Sequence, residues 1–451
     1  MLVEDSLCAD VKILASDREG FSGLQAETNH YHHVPDKTSL QPSPLFGFTS
    51  STKFPANLSV FGPKTVEKMA QKSFKTIPVI PVRELQYARS CLETIIPEFT
   101  DITDREVIKG NEDLSSLNKD SVNGFGLEKD KEYYIDFENG CYKPELQLIM
   151  EEFKNNVEIG NIRIEDVLYY ETLKDELRVE TKVDKPRSFR VCRLPIILWT
   201  KKILGHLFAQ VNKNRNFNQI FIGVNPYKDW SKIFERMENM YWLFDGDIGT
   251  FDGKQAAQVQ DMVNDIVKLR YRGNYPKLLA FLLEIIVRSW ILVRNKLYLS
   301  THSMPSGSWL TALFNSFYNR SYSACSIARQ AYIANREPVV SWFHEILDGV
   351  AGDDKLCGSP ANLKDLFNAL TLKEFFESIG MEFTTGTKQE IKEPYTPRDE
   401  ISFLKRTFVY HPKIKKVMCP LSKETILNSI MWYDTKKELS VVLQGKINSF
   451  Q

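Results

Sequence analysis

The pattern of apolar and polar positions is most regular in the second half of the chain, from about residue 196 onward. An apolar, aromatic-rich run from Met240 to Phe244 ends at the acidic segment Asp245-Gly246-Asp247, which predicts a strand that delivers a carboxylate. Apolar residues then recur at helical spacing between positions 259 and 267. This stretch is therefore predicted to be an amphipathic helix that follows the strand.

A second helical pattern runs from Leu310 to Ala328, directly after Ser306-Gly307, where the glycine permits a tight turn into the helix. Two short strand-like segments follow at residues 346–351 and 355–357, with Gly352 in the turn between them. Alternating strands and helices of this kind predict an α+β fold, in which helices cover one face of a sheet.

Length and composition set the scale of the fold but do not identify a ligand. The chain has 451 residues, 43% of them hydrophobic, which is enough for a large core and too much for one simple domain. Lys plus Arg and Asp plus Glu both number 58, so the formal net charge is zero. Support for nucleic-acid binding must therefore come from local clusters of charge. Residues 15–65 and 110–130 are polar and are predicted to be extended or loop segments.

Cysteine and histidine usage argues against disulfides and zinc. The seven cysteines are scattered, and no CxxC pair or secretory signal is present, which indicates a reduced, intracellular protein. His30, His32 and His33 have no acidic or cysteine partner at ligand spacing and are predicted to be surface or packing residues. The longest apolar stretch, 278–293, contains Glu284 and Arg288, so a buried helix is favoured over a transmembrane segment.

Acidic residues form two groups that suit metal-dependent chemistry. Asp247 and Asp252 are separated by four residues, and Asp353 and Asp354 follow Gly352 in a tight turn. Two carboxylate groups on adjacent strands could bind a pair of Mg²⁺ ions, as nucleotidyl transfer requires to activate a 3′-hydroxyl and stabilise the pyrophosphate leaving group. Each motif is weak alone, since an acidic surface turn is the commoner meaning of Gly-Asp-Asp.

Two further motifs suit recognition of a nucleotide. Thr311 and Asn315 share one helical face behind the Ser306-Gly307 loop, where they could hydrogen-bond a ribose. The alternative is a capped helix with two ordinary polar residues. Between residues 174 and 193 there are seven basic and four acidic residues, a pattern that suits a triphosphate but is also typical of a solvated charged hairpin. The basic residues are Lys174, Arg178, Lys182, Lys185, Arg187, Arg190 and Arg193.

The order of the motifs is more specific than any one of them. After the basic segment, DxxxxD, SG-x3-T-x3-N and GDD, the chain has Lys388 eight residues after Gly380, and then Phe403-Leu-Lys405-Arg406. This ordered set resembles that of the picornavirus-like RNA-dependent RNA polymerases over roughly residues 30–435. Gly246-Asp247 and Phe251-Asp252-Gly253 resemble the picorna-like viruses of invertebrates more than the mammalian picornaviruses.

The resemblance implies a right-hand fold of fingers, palm and thumb. Its palm is an antiparallel sheet with helices, residues 37–43 reach from the fingers toward the thumb, and residues 121–124 form a template loop. The thumb is expected to be incomplete, because family members usually continue for several more helices. The implied boundaries are fingers 1–204 (with the N-terminal fingertip segment and the basic loop), palm 205–285, a fingers insertion 286–303, palm 304–411 and thumb 412–451.

The resemblance also implies a role for each motif. Asp247 and Asp353, assisted by Asp354, would bind Mg²⁺ or Mn²⁺, and Lys388 would protonate the leaving pyrophosphate. Asp252 and Asn315 would recognise the ribose 2′-hydroxyl. The remaining residues are Ser306, Gly307 and Thr311 in the nucleotide-binding loop and helix; Lys174, Lys182 and Arg190 along the nucleotide path; and Arg178, Lys405 and Arg406 against RNA.

The implied activity is replication of a positive-strand RNA virus genome from NTPs on a viral RNA template and primer strand. The implied partners are a small viral protein primer and other replication proteins, in membrane-associated complexes of the host cytoplasm. A reverse-transcriptase-like palm polymerase is an alternative, although such sites usually place a bulky side chain where Asp252 and Asn315 would bind the ribose hydroxyl. A non-catalytic RNA-binding scaffold is another, although it need not retain Asp247, Asp353 and Lys388.

The sequence departs from the family pattern in three places. Ala351 precedes the Gly-Asp-Asp turn where picornaviruses usually have tyrosine, and Lys355 follows it where an apolar strand residue is typical. The stretch from Lys182 to Arg190 is one residue longer than in enteroviruses, which weakens the match at Arg190.

Overall fold

The computed structural model describes residues 2–3, 23–28, 31–47, 51–59, 75–436 and 438–448. Cys8, His30 and parts of the predicted extended segment 15–65 lie outside the described residues. The helices are α1 Val82–Ile95, α2 Asp104–Lys109, α3 Lys131–Tyr134, α4 Pro144–Ile159, α5 Ile164–Val167, α6 Leu194–Lys213, α7 Arg215–Asn218, α8 Pro226–Glu238, α9 Ala257–Arg270, α10 Pro276–Val287, α11 Thr311–Ile333, α12 Val340–Glu345, α13 Ala369–Ser378, α14 Lys423–Met431 and α15 Leu439–Asn448.

The strands are short, and several come from distant parts of the chain. They are β1 Leu2–Val3, β2 Gly23–Glu27, β3 Leu40–Pro42, β4 Lys53–Pro55, β5 Ile135–Asp136, β6 Cys141–Tyr142, β7 Ile162–Arg163, β8 Tyr169–Leu173, β9 Leu177–Val179, β10 Ser188–Val191, β11 Trp242–Gly249, β12 Trp290–Val293, β13 Lys296–Ser300, β14 Leu347–Ala351, β15 Asp354–Ser359, β16 Glu382–Thr384, β17 Val409–His411, β18 Lys416–Met418 and β19 Trp432–Asp434. The predicted α+β class is confirmed.

A four-stranded antiparallel sheet in the order β14-β15-β11-β16 forms the centre of the molecule. Strand β11 pairs first with β15, with Phe244 opposite Cys357, and then with β16, with Asp247 opposite Thr384. The predicted strand at 240–244 is therefore present but extends to Gly249, because strands on both sides continue the pairing past the acidic segment.

Helix α11 packs behind this sheet and is buried along most of its length. Leu313, Phe314 and Phe317 belong to the main hydrophobic core, together with residues of α1, α9 and α13. The helix is buried all round, as a helix in the middle of a large domain must be. The predicted helices at 259–267 and 310–328 are both confirmed, as α9 and α11.

A second sheet in the order β10-β8-β12-β13-β2 carries the basic segment, which connects β8 to β10. Strands β12 and β13, from the predicted fingers insertion, pair with β8 and β2 respectively. The domain boundaries themselves stay a prediction.

The N-terminal part of the chain crosses to the C-terminal helices. Strand β3 pairs with β19, and the Ser43 hydroxyl donates to the Ile430 carbonyl at 2.6 Å. The Trp432 indole Nε1 donates to the Lys53 carbonyl at 2.9 Å. Residues 40–43 thus lie against residues 430–434, while the division into fingers and thumb stays a prediction.

The apolar stretch 278–293 divides into helix α10 and strand β12, both largely buried. Among the described residues, no helix has the length and apolar character that crossing a membrane requires. The six described cysteines are free thiols. The His32 ring packs on Tyr170 with a centroid distance of 4.0 Å, in keeping with a packing role.

Candidate active site

The Gly-Asp-Asp segment is the tip of the β14–β15 hairpin. Ala351 pairs with Asp354, which leaves Gly352 and Asp353 as a two-residue turn. Gly352 has a φ of +70°, and a Cβ there would meet no atom within 4 Å. The left-handed backbone, and not lack of space, therefore selects glycine, as expected for a hairpin turn with glycine at its first central position.

The hairpin brings Asp353 and Asp354 beside the carboxylate of Asp247 on β11. Withdrawal from water, together with the charges of Asp354, Asp252 and Asp247, raises the pKa of Asp353 to about 6. Burial and the Asp247 charge also raise the pKa of Asp354, while Lys405 and Lys388 oppose that shift. Four carboxylates from two distant segments of the chain thus repel one another at one site.

Lys388 supplies a cation at this acidic site. Its Nζ lies 3.1 Å from Asp247 Oδ2, and the side chain is 67% exposed. Lys388 has a φ of +65° in a turn closed by its own backbone N–H, which donates to the Thr385 carbonyl at 2.8 Å. Gln389 extends this turn by donating its N–H to the Thr385 hydroxyl at 3.0 Å.

Within the described ranges, no three His, Cys, Asp or Glu side chains are already arranged to hold a metal ion. The chemistry of the carboxylate oxygens nevertheless fits a hard divalent cation such as Mg²⁺ or Mn²⁺. After burial, repulsion from the neighbouring carboxylates raises the pKa of Asp353, and a bound cation would offset that repulsion. Asp247, Asp353 and Asp354 are therefore a suitable donor set.

Asp252 is fixed at both of its carboxylate oxygens. Asn315 Nδ2 donates to Oδ1 at 2.5 Å, and Ser306 Oγ donates to Oδ2 at 2.6 Å. Asn315 is oriented in turn by Gln255, whose Nε2 donates to Asn315 Oδ1 at 3.3 Å, and Gln255 Oε1 accepts from Tyr322 at 3.0 Å. The structure therefore joins the predicted ribose residues in one hydrogen-bonded network.

Gly307 and Thr311 shape the loop next to this network. A Cβ on Gly307 would lie 1.7 Å from the Arg190 carbonyl oxygen, so only glycine allows the two backbones to approach. The Thr311 hydroxyl donates to the carbonyls of Pro305 and Ser308 at 3.1 and 2.8 Å. Thr311 thus holds the loop against the start of α11.

The structure corrects the prediction for Arg190. Its side chain is 6% exposed, with Nε 3.2 Å from Glu171 Oε2 and Nη1 2.9 Å from Ser303 Oγ, so it does not line an open path. Arg187 is 57% exposed and donates from Nε to Glu176 at 2.6 Å. After the hydrogen bond and charge of Glu176, the charges of Asp353 and Asp252 also raise the pKa of Arg187.

Arg187 is therefore the arginine of this segment whose charge interacts with the acidic site. The two arginines are three positions apart on extended backbone, so their side chains leave opposite faces. That alternation was the signal in the sequence that could have separated them. Lys174 is exposed and lies 3.7 Å from Glu176, Lys182 is exposed in a short 3₁₀ helix, and Arg178 is half-buried at 3.5 Å from Glu176.

Lys405 and Arg406 point to different surroundings. Phe403 and Arg406 form a tight bridge, and both Leu404 and Lys405 between them have positive φ, which presents Lys405 at the tip. Lys405 is exposed, and its charge partly offsets the rise that burial and Asp247 cause in the pKa of Asp354. Arg406 is half-buried and donates from Nη1 to the Cys419 carbonyl at 2.7 Å, so it stabilises the turn, while its contact with RNA stays a prediction.

Lys355, the unexpected residue after the turn, belongs to a buried network under the hairpin. Its Nζ lies 2.6 Å from Asp348 Oδ1 and 2.8 Å from Asn319 Oδ1. Asn319 Nδ2 in turn donates to the Gly352 carbonyl at 2.9 Å. Asp348 Oδ2 accepts from Arg320 Nη1 at 2.8 Å. Although burial opposes it, Lys355 and Arg320 hold the pKa of Asp348 below its ordinary value.

The family model for viral RNA-dependent RNA polymerase matches residues 65–450 of this sequence. The chain belongs to the viral RNA-dependent RNA polymerase family. It is similar to the replicase polyproteins of acute bee paralysis virus (26% identical, covering 88% of this chain and 23% of the polyprotein) and cricket paralysis virus (28% identical, covering 68% of this chain and 18% of the polyprotein). The chain thus spans less than a quarter of the length of these curated relatives.

A relative from Ljunganvirus 1, a genome polyprotein, is 25% identical over 89% of this chain and 18% of its own length. In structure, the chain is similar to the Sicinivirus 3Dpol RNA-dependent RNA polymerase, with a TM-score of 0.79, 20% identity, and coverage of 98% of this chain and 94% of that one. This likeness confirms the right-hand polymerase fold. The relatives from picorna-like viruses also confirm the predicted resemblance to the wider picorna-like group.

Proposed function

We propose that this chain copies RNA from an RNA template, joining NTPs to the RNA 3′ end, to replicate the positive-strand genome of a picorna-like virus. The observation that carries the proposal is the meeting of Asp247 with the Asp353-Asp354 hairpin, beside Lys388 and the fixed carboxylate of Asp252. Membership of the polymerase family supports the same activity.

Asp247, Asp353 and Asp354 would hold Mg²⁺, with Mn²⁺ as a substitute. When bound, these cations activate the attacking 3′-hydroxyl and stabilise the negative charge of the leaving pyrophosphate. Lys388, an exposed ammonium 3.1 Å from Asp247, would give its proton to the pyrophosphate oxygen as the bond to the α-phosphate breaks. Its contact with Asp247 keeps the ammonium at the reacting phosphates.

Asp252 and Asn315 would read the ribose 2′-hydroxyl. Ser306 and Asn315 hold the Asp252 carboxylate in place, and Gly307 and Thr311 fix the loop from which Ser306 projects. A site that offers these polar groups to a hydroxyl discriminates against a sugar that lacks it, because the groups are then left unpaired.

Lys174, Lys182 and Arg187 would bind the incoming triphosphate. Arg187 reaches the site by leaving Glu176, its present partner, for phosphate oxygens that it can bind in bidentate fashion. Lys405, presented at the tip of its turn, would support the primer strand.

The wider setting of the reaction is part of the proposal. The partners are viral RNA template and primer strand, a small viral protein that primes synthesis, and other replication proteins. The location is the host cytoplasm, in membrane-associated replication complexes. The relatives that are replicase polyproteins of RNA viruses support this setting.

Elongation and RNA binding by Asp353→Ala test whether this chain is a polymerase or a scaffold. Elongation of a primed RNA should be lost while RNA affinity is kept, because the carboxylate serves the chemistry and not the grip on RNA. Asp265→Ala, on the exposed face of α9, is the matched control and should elongate normally. Normal elongation by Asp353→Ala would remove that residue from the metal site. Absence of elongation by the unmodified chain would favour the scaffold.

A further inference from the structure

Asp245 is a buried carboxylate that the proposed chemistry does not use. It lies on β11 two residues before Asp247, so both side chains leave the same face of the strand. Asp245 is 1% exposed. Its surroundings contain hydrogen-bond donors but, within the described part of the chain, no ion pair with a basic side chain.

The donors to Asp245 come from two distant segments. The Gly386 N–H donates to Oδ1 at 3.3 Å. The Ser402 N–H and hydroxyl donate to Oδ2 at 2.9 and 3.2 Å. Gly386 is two residues before Lys388, and Ser402 is three residues before Lys405. Asp245 therefore connects the strand of Asp247 to the two turns that present cations to Asp354.

The Lys388 turn is seated closely on this carboxylate. A Cβ on Gly386 would lie 2.6 Å from Asp245 Oδ2, so the backbone of the turn meets the carboxylate directly. The turn also borders a cleft of about 410 Å³, lined in part by Asp245, Thr385 and Glu390. Because this cleft is open, packing alone does not fix the turn, and the bonds to Asp245 restrict its position.

An aspartate is a costly choice for a purely structural link. Burying a carboxylate without a cation is unfavourable, and burial raises the pKa of Asp245. Both of its oxygens accept here, whereas an asparagine would direct its amide N–H groups against one of the donating groups. The Asp245 side chain thus joins two separate segments to β11 through hydrogen bonds to both of its oxygens.

We propose that Asp245 is a positioning residue, whose carboxylate clamps the 385–389 turn and the 403–406 turn to β11 so that Lys388 stays at the reacting phosphate. This inference rests on the proposed role of Lys388. Asp245 acts through Lys388 and touches neither nucleotide nor RNA.

Single-nucleotide incorporation at saturating NTP tests the proposal. Asp245→Asn should slow incorporation roughly ten- to a hundred-fold, because even a small misplacement of the proton donor Lys388 greatly reduces the rate. The NTP concentration for half-maximal rate should stay within about twofold of that of the unmodified enzyme, since the triphosphate contacts are elsewhere. Gly386→Ala, which crowds the same contact from the turn, should give the same selective loss of rate.

The deciding measurement is the combination with Lys388→Leu. If Asp245 acts through Lys388, the double variant Asp245→Asn/Lys388→Leu should be no slower than Lys388→Leu alone. Slowing that multiplies in the double variant would overturn the proposal, as would an unchanged rate in Asp245→Asn. If Asp245→Asn fails to fold, Gly386→Ala replaces it in the same comparison, with the same outcomes.

The single variants also separate this inference from the proposed function. An unchanged rate in Lys388→Leu would refute the role of Lys388 and this inference with it. A slow Lys388→Leu beside a normal Asp245→Asn and Gly386→Ala would refute only the positioning role.

Discussion

Replacement of Asp348 by asparagine is predicted to destabilise the fold strongly without creating a cavity. Asp348 is the carboxylate between two buried cations, Arg320 and Lys355, and all three side chains are 0% exposed. Asparagine has nearly the same volume and removes only the charge. The two cations would then remain buried beneath the hairpin without their counterion.

The size of the effect follows from the contacts that are lost and kept. Removing one partner from a buried ion pair costs roughly 3–5 kcal/mol, because the other charge stays desolvated. Arg320 keeps the Phe343 ring at 3.8 Å, and Lys355 keeps Asn319 and Ser323 at 2.8 and 2.6 Å, which favours the lower end. For a chain of this length, about 1 °C per kcal/mol gives a fall in Tm of about 3–5 °C.

Thermal unfolding followed by circular dichroism measures this, with Lys355→Met as the matched control. That variant leaves the Arg320–Asp348 pair intact, so one buried cation still faces one carboxylate, and its loss of stability should be smaller than that of Asp348→Asn. The double variant should lose less than the sum of the two single losses, because the residues interact directly. A loss in Asp348→Asn no larger than that in Lys355→Met would refute the reasoning.

The remaining predictions concern the site itself. Asn315→Ala should weaken discrimination against dNTPs in a competition between NTP and dNTP, and unchanged selectivity would mean that the ribose is read elsewhere. Arg187→Ala should raise the KM for NTP about tenfold and leave the Tm unchanged, because Arg187 is exposed. Arg190→Ala should lower the Tm, because Arg190 is buried in an ion pair. The reverse result would place Arg190 on the nucleotide path. Asp353→Asn should raise the Tm without divalent cations. The pKa of Asp353 in the folded protein, about 6, exceeds its unfolded value. The contribution of this carboxyl group to stability is therefore greatest at low pH and is lost as the pH rises through 6. The gain in Tm of Asp353→Asn should therefore appear above pH 6 and vanish well below pH 6. An equal gain in Tm above and below pH 6 would contradict repulsion between Asp353 and its neighbouring carboxylates.

The strands and helices around the acidic residues could be predicted because their signals are local. Periodicity identified α9 and α11, and Gly352 between two apolar runs identified the hairpin. Thr311 and Asn315 could be placed on one helical face because they lie one helical turn apart. These features depend on neighbours in sequence, which a single chain displays directly.

The parts that were missed depend on contacts over long separations. The acidic segment at Asp245 was interpreted as the end of a strand, but its partners lie 141 and 157 residues away and hold it within β11. Lys355 looked out of place because its partners Asn319 and Asp348 come from another helix and strand. The hydrogen bond from Arg406 to the Cys419 carbonyl, 13 residues away, also had no signal in the sequence.

RNA-directed RNA synthesis by this chain is tested by primer extension on a homopolymeric RNA template, with each NTP supplied separately, in the presence and absence of Mg²⁺. We expect extension only with the complementary NTP, only with a divalent cation, and not by Asp353→Ala. Extension with dNTPs in preference to NTPs, incorporation regardless of the template base, or full activity of Asp353→Ala would contradict this expectation.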